Sequence, residues 1–450
     1  MTADLAPAPS VTSGTSAPAS RVKSSTSTTS VFGYPRGHWG HLSEHEDEAL
    51  SKFKDVLEER GVWTREPASH DDQTLLRFLR ARRWVVEDAY KQFKDTEDWR
   101  AANNIDTLYR TIELDAYEQS RRLYPQWTGR RDRRGIPLYV FEIKNLDSKT
   151  VSEYERLGAK STFSDAKTDG KTPPGLLRLF ALYENLTRFS QPFCTQLTDR
   201  EHPDVPVTMS TNIVDISGVG LKQFWNLKGH MQAASQLATA HYPETLDRIF
   251  IIGAPMFFST VWGWIKRWFD PITVSKIFVL SSHEVKPTLE AFIDPRNIPK
   301  KYGGELDFGF GQLGVPDPMW EGIIEWENGY SSFPSGPLLW EDVDDGKRIA
   351  CVALGKDNGV ARNVRICTLP RTWPEESVAQ TQTNGEKVET AAEGTQTNGE
   401  VSEGTQTADE TRDDGVQTDD GEGITNGEIV EKLKLTEEKD AVRAAPAAAA

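Results

Sequence analysis

Gly309, Gly311 and Gly314 stand at the spacing of the dinucleotide-binding fingerprint G-x-G-x-x-G. That chemistry needs a strand before the glycines and, after them, a helix whose N-terminal amides meet a pyrophosphate. Val315-Pro316-Asp317-Pro318 follows instead, and prolines so placed do not open such a helix. Asp307-Phe308-Gly309 copies a kinase tripeptide, without the catalytic loop or phosphate-binding lysine strand that would give it meaning. No P-loop, H-E-x-x-H, G-x-S-x-G or paired-cysteine metal motif is present, and the eight histidines are dispersed. His202, His230 and His241 read as surface or packing residues. The sequence therefore assigns no catalytic residue, no metal and no cofactor, and an enzyme is not expected.

A different chemistry is concentrated in 256–270. On a helical wheel, Phe257, Phe258, Val261, Trp262, Trp264, Ile265, Trp268 and Phe269 fall within an arc of about 160°. Ser259, Thr260, Gly263, Lys266 and Arg267 take the rest. One reading is an ordinary helix packed on a sheet, the more frequent origin of such a stripe. The other is a helix that covers an apolar cavity and presses into a bilayer, with ring bodies buried and Lys266 and Arg267 meeting phosphates. The arc is wider than a packing stripe requires, which favours the second.

Elements must hold that segment in place. The 450 residues give room for two or three domains. Charge is uneven: 371–450 carries a net −12, 1–40 a net +2, and 41–370 about −6 of the total −16. A mildly acidic centre argues against nucleic acid as partner. Three scattered cysteines, Cys194, Cys351 and Cys367, support neither a disulfide framework nor a zinc site, and a reducing compartment is expected. MTADLAPAPS has no charged n-region or apolar h-region, so no signal peptide is expected. The longest uncharged core stretch, 249–265, is broken by Gly253-Ala254-Pro255 and is shorter than the roughly 20 apolar residues of a span. A cytoplasmic protein, peripheral on organelle membranes, is the expectation.

Residues 1–40 are a Ser/Thr/Pro-rich tail too poor in apolar side chains to fold alone. Ser43 with Glu46 predicts a capping box, and Leu50, Phe53, Val56 and Leu57 recur at helical spacing. Leu75, Leu76, Phe78 and Leu79 interleave with Arg77, Arg80, Arg82 and Arg83, and a third run, 86–99, places Ala89, Phe93 and Thr96 on one face. Residues 41–118 thus predict a small helical domain. Strands are predicted at 137–143, 207–216, 248–252 and 277–280, alternating with helices at 174–198, 221–241 and 256–269. Short apolar strands alternating with helices imply a mainly parallel sheet with right-handed crossovers, an α/β fold over 119–315. Residues 316–370 predict an appended element with strands at 349–354 and 364–369, and 371–450 an acidic, repetitive tail expected, like 1–40, to be disordered.

Several motifs then resemble one family. Thr74-Leu-Leu-Arg-Phe-Leu-Arg-Ala-Arg-Arg-Trp84, Asp132-Arg-Arg-Gly-Ile-Pro-Leu-Tyr139, Asn212-Ile-Val-Asp-Ile-Ser-Gly218 and Tyr242-Pro-Glu244 are similar to CRAL-TRIO proteins, nearest to the phosphatidylinositol/phosphatidylcholine transfer proteins. Phe258-Ser-Thr260, Asp270-Pro-Ile-Thr-Val-Ser-Lys-Ile277 and Tyr302-Gly-Gly304 extend the match, in order, over roughly 45–310. The resemblance implies a helical N-terminal domain on an α/β domain whose sheet floors an apolar pocket closed by a movable helical gate. Phe257, Phe258, Val261, Trp262, Ile265, Trp268 and Phe269 would form that gate.

The resemblance also implies a phosphatidylinositol head-group site at Arg82, Arg83, Glu244 and Lys276, with Thr273 nearby. Guanidinium and ammonium groups would neutralise phosphate while a carboxylate accepts from inositol hydroxyls. Against it stands a purely structural Glu244–Lys276 ion pair with a solvated arginine face. Ser210 and Tyr139 match the family's choline-head-group positions, but Asn212 replaces a threonine and Thr128 a tyrosine. Losing a ring weakens capture of a quaternary ammonium, so phosphatidylcholine is not expected as second ligand, and a sterol, another apolar lipid or another phospholipid could take its place.

Thr381-Gln-Thr-Asn-Gly-Glu386 repeats intact at 395–400, and Thr405-Gln-Thr407 and Val416-Gln-Thr418 complete the series. Gln382, Gln396, Gln406 and Gln417 look like the central residue of the Thr-Gln-Thr anchor recognised by dynein light chain, which takes such peptides as an added strand. Several weak sites on one chain would gain from effective concentration; a drifting repeat with no partner is the bland reading. Together these features imply a carrier that extracts lipid into a closed pocket, or alternatively a non-transferring lipid sensor or scaffold that recruits partners through its tail.

Overall fold

A computed structural model describes residues 34–160, 162–268 and 274–373. The chain opens with helices: α1 (Glu44–Glu59), α2 (Asp72–Ala81), α3 (Val86–Asn103), α4 (Ile105–Thr111) and α5 (Leu114–Leu123). Ser43 and Glu46 form the predicted capping box at the head of α1, satisfying two amides that the first helical turn leaves without partners. Asp71 caps α2 through the Thr74 amide at 2.9 Å. The apolar stripes close on one another, with Phe53, Leu57, Leu75, Leu79 and Phe93 fully buried.

The α/β layer has a five-stranded sheet in the order β1 (Gln126–Arg131), β2 (Pro137–Glu142), β3 (Ser210–Asp215), β4 (Leu246–Ile252) and β5 (Ile277–Val279). β1 runs antiparallel to β2, and the remaining pairs are parallel. Between β2 and β3 come α6 (Ser148–Lys160), α7 (Pro174–Asn185), a wide π turn (Leu186–Ser190) and α8 (Gln191–Thr195). α9 (Leu221–His241) joins β3 to β4, α10 (Phe258–Ile265) precedes β5, and α11 (Ser282–Phe292) follows it. A mainly parallel sheet covered on both faces needs apolar strands throughout. One face, with Leu138, Val140, Ile213 and Phe250, packs under α11 and the segment through Phe308.

Three predicted boundaries shift. Helix 174–198 is divided at 186–190, where Pro192 lacks an amide hydrogen and crowds the carbonyl four residues back; the wider turn absorbs both. The strand predicted from 207 begins at Ser210, because the Val207 amide donates to Thr195 Oγ1 at 2.9 Å and leaves the ladder. Helix α3 runs on to Asn103, and Asn104 turns it with a left-handed φ of 52°.

Residues 325–370 form a separate four-stranded antiparallel sheet, β6 (Glu325–Trp326), β7 (Leu338–Val343), β8 (Arg348–Asp357) and β9 (Val360–Pro370), in the order β6-β9-β8-β7. It packs on the π turn and α8, sharing a core of Phe189, Phe193, Trp320, Phe333, Ile349 and Ile366. One glycine of the fingerprint-like stretch has a structural use: a Cβ on Gly314 would stand 2.6 Å from the Gly129 amide nitrogen. Gly129 sits at the β1 irregularity with φ 86°, and a Cβ there would stand 2.1 Å from the Val315 carbonyl oxygen, so the two backbones cross only because no side chain intervenes.

Candidate functional site

The second face of the large sheet carries Tyr139 and Asn212, paired in register on β2 and β3, with Ser210 two residues along. Strand alternation puts these on the face opposite Val140 and Ile213. Tyr139 and Ser190 share a hydroxyl–hydroxyl bond of 2.8 Å, which fastens the sheet to the π turn. Ser210 Oγ donates to the Thr245 carbonyl at 3.1 Å, and Asn212 Nδ2 donates to Ser210 Oγ at 3.0 Å. Burial pushes the Tyr139 phenol upward. Thr128 is buried and donates to the Leu138 carbonyl at 3.0 Å. The cavity beside Tyr139 measures about 70 Å³, which is room for a few waters and not for a phospholipid.

Towards β4 and β5 the same face turns apolar, and α10 lies on it. Phe258 and Val261 are buried against Ile216, Val219 and Ile251, with Val214, Ile249, Ile277 and Phe224 around them. Phe257 and Trp262 are half-buried, and the Phe258 and Trp262 rings stack at 6.1 Å between centroids. Lys266 and Arg267 are exposed on the short 3-10 turn Lys266–Trp268 that continues the helix. The Ile265 and Trp268 side chains, Phe269 and Thr273 lie outside the described residues, as do Gln382, Gln396, Gln406 and Gln417.

Glu244 and Lys276 meet at the edge of that apolar face. Glu244 occupies the turn between α9 and β4 with a left-handed φ of 55°, and Lys276 immediately precedes β5. Lys276 Nζ donates to Glu244 Oε2 at 3.2 Å and to the Leu246 carbonyl at 3.1 Å. Arg82 and Arg83, at the end of α2, are exposed and make no hydrogen bond or ion pair with either among the described residues. The nearer cation is Arg80. Its Nη1 donates to the Gly37 carbonyl at 3.0 Å, while Nε and Nη2 are buried without partners. Burial pushes the Arg80 guanidinium down to about 10, against the Glu244 carboxylate that holds it up. His38 lies over the same group: burial, then the Arg80 and Lys276 charges, hold its imidazole well below the usual range. Sequence reasoning placed no weight on Arg80 or His38. Helical spacing offered a signal for Arg80, which stands three residues from the buried Arg77 and shares its face.

A larger cavity, about 790 Å³, lies elsewhere among the described residues, between the helical layer and the antiparallel sheet. Arg77, Arg100, Glu184 and Arg188 on its wall make it polar and unsuited to acyl chains. His241, on that wall, stacks on Trp99 with centroids 4.2 Å apart, and is a packing residue as the sequence suggested.

The CRAL/TRIO domain model matches residues 121–304, and the CRAL/TRIO N-terminal domain model matches residues 39–95. The chain is 29% identical over 276 residues to the SEC14 cytosolic factor of Eremothecium gossypii, covering 61% of this chain and 82% of that protein. It is 30% identical over 271 residues to the Sec14 cytosolic factor of Schizosaccharomyces pombe, covering 60% and 86%. A phosphatidylinositol/phosphatidylcholine transfer protein of Arabidopsis thaliana, SFH7, is 32% identical over 246 residues, covering 53% and 40%. A solved structure described as the crystal structure of Sfh5 aligns at 14% identity with a TM-score of 0.43, over 61% of this chain and 92% of that one.

Proposed function

Because the chain belongs to the CRAL/TRIO family, we propose that it binds phosphatidylinositol and moves or presents it, drawing the lipid from a membrane into a pocket under α10. The observation that carries this reading is the polar cluster at the edge of the apolar face. Lys276 is bound to Glu244 with the enclosed Arg80 charge beside them, and the next residue, Ile277, touches the same apolar cluster as Phe258 and Val261. A phosphate would replace the carboxylate as partner of the cations, freeing Glu244 to accept from inositol hydroxyls. Arg82 and Arg83, at the end of the same helix, supply further positive charge, with Thr273 near Lys276. In this reading the Glu244–Lys276 pair is the closed, lipid-free state of the site.

The tight seat of Phe258 and Val261 and the small cavity by Tyr139 mean that acyl chains require α10 to move. Phe257, Phe258, Val261, Trp262, Ile265, Trp268 and Phe269 are then the gate. Met256 is fully exposed beside it, and Leu221 and Trp225, 45% and 46% exposed on the first turns of α9, add an apolar rim suited to a lipid surface. No helix among the described residues is long and apolar enough to cross a membrane, and the contact we propose is peripheral. Ser210 and Tyr139, already tied to Thr245 and Ser190, would turn to a second, less polar lipid.

Phosphatidylinositol transfer between liposomes tests the reading. Lys276→Ala and Arg82→Ala should each lower transfer by roughly tenfold with the fold intact, the loss expected for one charge-assisted contact. Normal transfer by both variants would refute the head-group site. The Thr-Gln-Thr series favours a second reading, a lipid-occupied scaffold whose tail recruits dynein light chain. A full chain that binds lipid without extracting it from liposomes, and that gives calorimetric heat with the light chain, would select the scaffold.

A further inference from the structure

The segment 34–41, whose Gly37 and His38 cover Arg80, meets the lipid domain through Tyr34 and His41, and the contact at His41 has metal-binding chemistry. His41, His202 and Asp204 each offer a ligand atom, and all three atoms lie within 4.8 Å of one another. His41 Nε2 already faces Asp204 Oδ2 at 2.9 Å. The His41 and His202 rings stand edge to face with centroids 5.6 Å apart, and Tyr34 also packs edge to face with His202 at 5.7 Å. Glu201 brings a carboxylate oxygen to 3.9 Å from His202 Nε2.

Loop 202–204 is held from several directions. Arg200 donates through Nη1 to the His202 carbonyl and through Nη2 to the Pro203 carbonyl at 2.9 Å. Trp373 Nε1 donates to the Asp204 carbonyl at 2.9 Å. On the other side, the turn before His41 is closed by the His41 amide donating to the His38 carbonyl at 2.9 Å. Backbone fixed in this way leaves the three side chains only short rotations from a common centre. The ligands of a tetrahedral zinc ion at bond lengths of about 2.0–2.2 Å sit roughly 3.3 Å apart, so the present spacing needs a contraction that side-chain rotation supplies. The Arg200 charge near the loop opposes a cation, but four backbone carbonyls already occupy its donors, and Asp204 offsets it.

We propose that His41, His202 and Asp204 form a binding site for a borderline divalent cation of the zinc class, with Glu201 or water as fourth ligand. Two imidazoles and one carboxylate suit zinc, whereas magnesium and calcium prefer all-oxygen sets. The ion would clasp the roof segment to loop 202–204, so its occupancy sets how firmly Gly37 and His38 cover Arg80. The site does not rest on the lipid reading, because none of its ligands belongs to the head-group cluster.

Calorimetry of the full chain with zinc chloride tests it, with magnesium and calcium chloride as controls. The expected result is one equivalent of zinc bound, no heat from the controls, and at least roughly tenfold weaker binding in His202→Ala and in Asp204→Asn. His202 and Asp204 are at the surface, and unchanged circular dichroism would show that the variants fold. Hydrogen exchange at 35–41 should slow on adding zinc to the natural chain and not in Asp204→Asn. No zinc heat, or equal binding by the natural chain and both variants, overturns the proposal; so does zinc binding that leaves exchange at 35–41 unchanged, since the ion would then sit elsewhere.

Discussion

Glu184, buried on α7, holds together side chains from three parts of the chain. Arg100 Nη1 approaches it at 2.7 Å, Arg188 Nε at 2.7 Å, and the Tyr242 hydroxyl donates to it at 2.6 Å. Burial alone would raise its carboxyl, but the two guanidinium groups prevail and hold it at about 2. A carboxylate lowered on folding stabilises the fold above its ordinary value of 4.5, and that contribution disappears as pH falls towards about 2. Urea denaturation should therefore show stability falling between about pH 4.5 and about pH 2. Glu184→Gln should flatten that part of the dependence and lower stability at neutral pH by about 1.5–3 kcal/mol, because two partly buried arginines lose their buried counter-charge and keep only Asp106 and Glu97. Arg80 is a different case, with two nitrogens lacking partners beside Glu244 and Lys276. An enclosed cation without full pairing is retained at a stability disadvantage, which fits a group that waits for an anionic ligand.

Two elements show how α10 is held and how the extra sheet attaches. Val261 on α10 is 1% exposed, pressed into the apolar cluster that includes Ile251. Val261→Asp would bury a carboxylate there, so α10 should detach: hydrogen exchange across 258–265 should rise while β2 and β3 keep their protection. Unchanged exchange would show that this contact does not hold the helix. The antiparallel sheet is pinned by Tyr109 of α4, whose hydroxyl donates to the Leu338 carbonyl at 2.6 Å and accepts from the Leu338 amide at 3.0 Å. Tyr109→Phe leaves both backbone groups buried and without that partner, and should lower stability by about 1–3 kcal/mol, read by denaturant unfolding. The β8–β9 hairpin is also explained locally. Asn358 and Gly359 both take positive φ, 50° and 80°, as a two-residue type I′ turn requires.

At the scale of the molecule, the helical layer and the α/β layer share one core. Trp99 and Tyr109 from the helices pack with Phe180, Leu237 and Tyr242 in a single cluster, and Gln92 Nε2 donates to the Thr239 and Ala240 carbonyls at 3.0 and 2.9 Å. The antiparallel sheet shares Phe189 and Phe193 with the π turn and α8. Contacts of this kind predict one cooperative unfolding transition for residues 34–373, with Phe193→Ala lowering it as a whole by about 3–5 kcal/mol. A separate early transition at 325–370, seen by hydrogen exchange, would show instead that the sheet is an independent unit.

Local pattern was enough for the elements and the class of fold. Ser43 with Glu46, the apolar spacing of Leu50, Phe53 and Leu57, and short apolar strands alternating with helices state it directly, because period and capping act over a few residues. Two boundaries moved for local backbone reasons, at Pro192 and Asn104, and one where a side chain from elsewhere intervened, as Thr195 does at Val207. Motif order pointed to Glu244 and Lys276, and the fold brings them to 3.2 Å. Arg80 beside them, His38 above it, and the meeting of His41 with His202 and Asp204 depend on contacts between residues far apart in the chain. Helical period can say which residues share a face; only packing decides which face is closed, which charge is enclosed, and what it faces.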